Sequence, residues 1–108
     1  MLSDVLKYRM PVETFIVKDF AAPIRLRQLS AQQAEEFYAK AKDAEGTFGT
    51  AALLVSLCLC DEAGNLLCQQ DGVNQVMQLG KDAVEELAAL AMKVNGFGAK
   101  AVEDAAKN

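Results

Sequence analysis

The chain has 108 residues, is 52% hydrophobic and 24% charged, carries a formal net charge of −4, and contains no histidine and no tryptophan. That length suits one domain with a modest core and leaves little room for a large enclosed catalytic cleft. The first thirty residues carry a net +2 and the rest −6, an acidic body that excludes nucleic acid as the expected partner, because that binding is driven by Lys and Arg.

Most of the apolar content is Ala, Leu and Val, which favours a core of packed helices. No apolar run approaches the roughly 20 residues that span a bilayer, and the N-terminus lacks signal-peptide order. We therefore expect a soluble cytoplasmic protein that does not bind membranes. The cysteine count is three, an odd number that argues against a disulfide framework.

The chain reads as a single domain over 1–108, with 1–12 a flexible N-terminal segment, 13–29 a hairpin and 30–108 a helical body. Glu13-Thr-Phe-Ile-Val-Lys18 is rich in β-formers, and Ile24-Arg-Leu-Arg-Gln-Leu29 alternates apolar with polar at the period of a half-buried strand. The intervening Asp19-Phe-Ala-Ala-Pro23 suits a hairpin loop. Ile24 and Leu26 are expected to face inward, Arg25 and Arg27 outward. A lone hairpin is marginal in water and has to lie on another element.

Ser30-Ala-Gln-Gln33 is a capping box that opens a helix over about 31–43, with Ala34, Phe37, Tyr38 and Ala41 on one face. Residues 45–50 read as a loop because of the paired glycines. Residues 51–59 are apolar almost throughout, so they fit either a buried strand or a central helix, with the Ala-Ala-Leu-Leu start favouring helix. Asp61-Glu-Ala-Gly-Asn65 is turn chemistry. Asp71 is positioned to cap a short helix reaching Leu79, and Asp82-Ala-Val-Glu85 resembles a second capping box. Val84, Leu87, Ala88, Ala91 and Val94 then form one helical stripe, Asn95-Gly96 supplies a left-handed stop, and a final helix is expected over 99–106.

The chemistry on offer is sparse. On a helix Cys58 and Cys60 point roughly 200° apart and cannot share an ion, although in a strand they would share a face. With only Cys68 and carboxylates beside them, the cysteines are read as buried structural residues. Ala63 stands where a calcium loop needs an oxygen ligand, and Gly64 comes two places early. Without histidine, triad chemistry lacks its base. The pairs Glu35-Glu36, Asp61-Glu62 and Glu85-Glu86 read as solvated charge. Neither a phosphate-binding glycine loop nor the Asp-Ser-Leu context of an acyl carrier is present. We expect no catalysis, no cofactor and no metal, and instead a protein that binds through its surface in a helix-in-groove or coiled-coil mode.

From about Glu13 to Asn108 the chain resembles the tail assembly chaperones of long-tailed bacteriophages and prophages. The resemblance rests on the Ile24-Arg-Leu-Arg-Gln-Leu-Ser30 entry to a helix and on the Leu54-Val-Ser-Leu-Cys-Leu-Cys-Asp-Glu-Ala-Gly-Asn65 block. It also includes Asp71-Gly-Val73, the Val94-Asn-Gly-Phe97 stop and the terminal Glu103-Asp-Ala-Ala-Lys-Asn108. The chain departs from the pattern at Leu67-Cys68, where Leu-Phe is expected. The resemblance implies an α+β domain, an N-terminal β-hairpin packed on a small, predominantly α-helical bundle. It also implies a non-catalytic chaperone in the host cytoplasm that binds the tape measure protein, keeps it soluble and yields it to polymerising tail tube subunits, with self-association also open. A longer, frameshifted form occurs in the family, and Ala106-Lys-Asn108 admits adenine-rich slippery codons. Arg25, Arg27, Phe15 and Phe20 are the expected partner-binding residues. The competing expectation is an acidic regulatory or inhibitory module that occupies a host protein.

Overall fold

A computed structural model describes residues 1–8, 10–43, 46, 48–68 and 71–97. In chain order the elements are α1 (Leu2–Val5), β1 (Val12–Phe15), β2 (Ile24–Arg27), α2 (Ala31–Ala41), α3 (Gly49–Cys58), β3 (Leu59–Cys60), α4 (Gly72–Met77) and α5 (Lys81–Val94). This is the expected α+β arrangement, with the N-terminal hairpin laid on a helical body. The expected helix over 99–106 and the terminal codon question fall outside the described residues.

The hairpin is antiparallel, pairing Val12 with Arg27 and Phe15 with Ile24. Continuing that register would set Ile16 opposite Pro23, which has no N–H to donate, so the ladder ends sooner than the β-formers over 13–18 suggested. Asp19 turns the loop with φ 71, a left-handed conformation that Asp tolerates. The first twelve residues, expected to be a flexible segment, include the helical turn α1 and the first residue of β1.

The ambiguous apolar run divides in two. Gly49–Cys58 is helical, and the chain straightens at Leu59 to make β3, which adds antiparallel to β2 with Arg25 opposite Cys60 and Leu26 opposite Leu59. α3 buries Ala52, Leu53, Leu54, Val55, Ser56 and Cys58, and so serves both halves of the core. On one side lie Leu26, Leu29, Phe37, Ala41 and Ala91. On the other lie Val17, Val76, Val84, Leu87 and Ala88. Ser56 is tolerated inside because its hydroxyl donates to the Leu53 carbonyl at 2.8 Å.

The capping box at the start of α2 is complete: the Gln33 amide donates to Ser30 Oγ at 3.1 Å and the Ser30 amide to Gln33 Oε1 at 2.9 Å. α2 ends at Ala41, short of the expected Asp43, and of its apolar face Phe37 and Ala41 are buried while Tyr38 is largely exposed.

Two expected caps are replaced. Asp71 precedes α4, but its backbone (φ −102, ψ 24) is not extended, so its carboxylate does not reach the first-turn amides and accepts from Asn74 Nδ2 at 2.7 Å instead. α5 begins at Lys81 behind an extended Gly80, which places Asp82 inside the first turn, where a carboxylate favours the helix dipole and pairs with Lys81 at 2.8 Å. The C-terminal stop of α5 is as expected. Gly96 (φ 71) donates to Lys93 O and Phe97 donates to Met92 O, the paired bonds of a Schellman motif.

Candidate functional site

The sheet presents two faces whose residues follow from the register. Phe15, Ile24, Leu26 and Leu59 point toward the helices, and Thr14, Arg25, Arg27 and Cys60 point the other way. Beyond β3 the chain turns through residues 61–65 and returns, so that Cys60 bridges Leu66 and Leu67 N donates to Leu59 O at 3.0 Å. Leu67 therefore falls opposite Leu59, on the helix-facing side, at an edge where little covers it.

The turn itself is built by Asp61. Its Oδ1 accepts the amides of Ala63 and Asn65, both at 2.9 Å. Those bonds, the one from Asn65 foremost, favour the ionised carboxyl and hold it below the usual carboxylate range.

The turn folds across the outward arginines and engages both. Arg25 Nη2 lies 3.1 Å from Glu62 Oε1. Arg27 donates through Nη1 to the Gly64 carbonyl at 2.8 Å and through Nη2 to Gln33 Oε1 at 3.1 Å. Its Nε is buried and has no hydrogen-bond partner among the described residues. Arg27 thus joins the sheet, the α2 capping box and the 61–65 turn, whereas Arg25 makes one pair with a solvated glutamate.

The helix-facing side ends in a groove of about 270 Å³, lined by Phe20, Ile24, Leu59, Leu67, Cys68, Gln75, Val76, Leu79 and Leu87. Buried Val76 and Leu87 form its floor, and Leu67 (59% exposed) and Leu79 (37% exposed) stand at its rim. Met77, on α4, is a further exposed apolar side chain. Gln75 supplies the polarity, and no lining residue is charged. Such an open apolar concavity has the chemistry to receive apolar side chains.

Of the four residues expected to contact a partner, Phe20 lies in this groove. Phe15 packs between the two halves of the core. The two arginines lie on the opposite face of the sheet. Leu67, Leu79 and Leu87 were not expected from sequence to contact a partner, because nothing local marks residues this far apart as one surface.

The thiols do not form a nucleophilic site. Burial pushes Cys58 up to about 11, against smaller lowering effects from its bond with Asn95 and from Arg27. Burial also raises Cys60 and Cys68, whereas a reactive cysteine needs the reverse shift. Among the described residues no group of three or more Cys, Asp or Glu is placed to hold a metal ion, and no helix is long and apolar enough to cross a membrane. Glu35, Glu36, Glu85 and Glu86 are exposed on two separate helices, α2 and α5, and Glu36 is paired with Lys40 at 2.6 Å.

No family model matches the chain, and no curated protein sequence matches it. Among solved structures, the fold is similar to that of the tail assembly chaperone of bacteriophage HK97, with a TM-score of 0.64 over 86% of this chain and 95% of that one, at 14% sequence identity. Two chains so different in sequence share a fold because the pattern of buried positions, rather than particular side chains, specifies it.

Proposed function

We propose that the protein is a non-catalytic tail assembly chaperone that binds the tape measure protein, keeps it soluble and releases it as tail tube subunits assemble. The observation that carries this reading is the uncharged apolar groove between the hairpin loop, α4 and α5, on a fold shared with a phage tail assembly chaperone. A tape measure protein is largely long helix with apolar stripes, and an unassembled stripe needs temporary cover. A groove bounded by Phe20, Leu67 and Leu79 offers that cover in the helix-in-groove mode.

Within this reading Phe20 contacts the client directly. Phe15, Arg25 and Arg27 act from behind, by holding the hairpin and the 61–65 turn that place Phe20 and Leu67. The host cytoplasm is where such a client would be made and held.

The test is to express a tape measure protein with and without this chain, and to follow soluble yield and co-elution. Leu67→Asp and Leu79→Asp place a charge at exposed rim positions, so they are expected to abolish co-elution while leaving the thermal midpoint nearly unchanged. A client that is soluble alone, or that co-elutes equally well with both variants, removes the reading.

A further inference from the structure

The sheet has one covered edge and one open edge. Beyond β3 the returning chain closes the first, where Cys60 bridges Leu66 and Leu67 N donates to Leu59 O. The strand order β1-β2-β3 makes β1 the other. Gln28 N donates to Pro11 O at 3.2 Å, and Pro11 falls opposite Gln28 when the Val12–Arg27 pairing is continued by one residue. Bonded and unbonded pairs alternate along an antiparallel ladder, so Glu13–Leu26 and Phe15–Ile24 carry the bonds to β2. Val12 and Thr14 therefore turn their N–H and C=O groups outward, and no turn or loop among the described residues bonds to them. Ile16, next in the alternation, is 85% exposed.

An unspent row of backbone donors and acceptors is completed by an extended chain that adds as a further strand. The side chains of such a strand would meet two environments in turn. On the outer face they lie beside Val12, Thr14 and Ile16, with Arg25 one strand further in, opposite Thr14, which favours apolar residues over cations. On the helix-facing side they lie beside Glu13, which stands opposite buried Leu26. Glu13 is exposed and takes part in none of the ion pairs among the described residues, so a cation is favoured there. A second copy of β1 brings no cation, because Glu13 is the only charge on that strand.

We propose that the β1 edge is a separate docking site, which takes an extended segment of another protein in which apolar and basic residues alternate. Val12 and Thr14 supply the backbone bonds, the apolar side chains of the segment cover Thr14 and Ile16, and a Lys or Arg pairs with Glu13. The hairpin ladder is undisturbed, because the groups used are those that face away from β2. None of these residues lines the apolar groove, so the site stands whether or not the groove holds a client.

The test uses the full chain with a fluorescently labelled heptapeptide in which Val and Lys alternate, and with its counterpart carrying Glu in place of Lys. Anisotropy is expected to show tighter binding of the Lys peptide, and the amide signals of Val12, Thr14 and Ile16 are expected to shift on its addition. Glu13→Lys, at an exposed position, is expected to reverse the preference between the two peptides. Thr14→Pro removes an outward N–H without touching the bonds to β2, and is expected to weaken both peptides several-fold. A general attraction of the Lys peptide to the acidic chain would survive both substitutions. No binding of the Lys peptide, an unchanged preference in Glu13→Lys, or binding indifferent to Thr14→Pro would overturn the proposal. The co-expression test of the groove does not depend on these residues, so failure here and failure of the chaperone reading are separate outcomes.

Discussion

Asn95, at the end of α5, accepts the backbone N–H of Leu29 through Oδ1 at 2.7 Å, although 66 positions separate the two residues. Its Nδ2 donates to the Ala91 carbonyl at 2.8 Å and lies 3.5 Å from Cys58 Sγ. One amide therefore ties the junction of β2 and α2 to the last turn of α5 and to α3.

Asn95→Ala is expected to leave the Leu29 amide without a partner inside a packed junction, at a cost of about 1–3 kcal/mol. In a domain of this size each kcal/mol corresponds to a fall of about 4–8 °C in the melting temperature. Asn95→Asp keeps an acceptor for Leu29 but loses the donation to Ala91, so it should fall between the two. Thermal unfolding followed by circular dichroism ranks the three proteins, and equal midpoints for wild type and Asn95→Ala would show that water replaces the side chain.

The two hairpin arginines should separate cleanly. Arg25→Ala removes one pair with a glutamate whose side chain is 83% exposed, an interaction worth about 0–1 kcal/mol. Arg27→Ala removes the bonds to Gly64 O and Gln33 Oε1 together, and is expected to cost roughly 2–3 kcal/mol because both are charge-assisted and partly buried. Urea midpoints decide it. Equal losses would mean that the 61–65 turn holds without Arg27.

Gly72 opens α4 where there is no space for a side chain. A Cβ there would stand 2.7 Å from Cys68 Cβ and 3.2 Å from Ser56 Cβ. Gly72→Ala therefore has to push the start of α4 away from Cys68 and from Ser56 of α3, with an expected loss of about 1–3 kcal/mol and a displaced groove floor at Val76. Gly80, the residue preceding α5, has nothing within 4 Å of such an atom. Gly80→Ser adds a capping hydroxyl there and is expected to be neutral or to stabilise by a few tenths of a kcal/mol. Paired urea titrations would show the contrast, and a tolerated Gly72→Ala would mean that the α3–α4 contact is looser than its geometry.

Stability should decline on the alkaline side. Cys58 is raised by burial from an ordinary 9.0 to about 11. The unfolded chain gives up this proton near the lower value and the folded chain only near the higher one, so in between the folded state binds more protons and stability falls as pH rises. Below the ordinary thiol value the contribution is fully present. The loss reaches roughly 3 kcal/mol once the pH passes both values, and Cys60 and Cys68, raised in the same direction by burial, steepen the slope. Urea midpoints from neutral pH to about 11 should fall in wild type and fall less in Cys58→Ala. Identical slopes would assign the alkaline loss to other groups.

Local sequence was sufficient wherever an element is specified by its own neighbours. The Ser30–Gln33 capping box, the Asp61 turn, the Asn95-Gly96 stop and the alternation of Ile24-Arg-Leu-Arg27 each satisfy their own backbone groups or face one core, so their residues announce them. The expected caps at Asp71 and Asp82 did not form, because a cap depends on the backbone angle at one residue, which composition does not reveal. The run from Ala51 to Cys60 was ambiguous for a different reason. An element buried on every side loses its periodicity, and only the presence of β2 alongside Leu59 and Cys60 decided where helix gives way to strand.

The groove was beyond local reading altogether. Phe20, Leu67, Leu79 and Leu87 come from a hairpin loop, the return from a turn, the end of a short helix and the middle of a long one. Each alone is an ordinary apolar residue, and whether it is core or surface depends on what packs against it. Sequence by itself determined the local turns, the Ser30–Gln33 capping box and the overall α+β class, because those are satisfied within a few residues. Tertiary structure alone decided that Arg27 is an internal brace and that four scattered apolar side chains form one open surface, because burial is a property of the assembled layers.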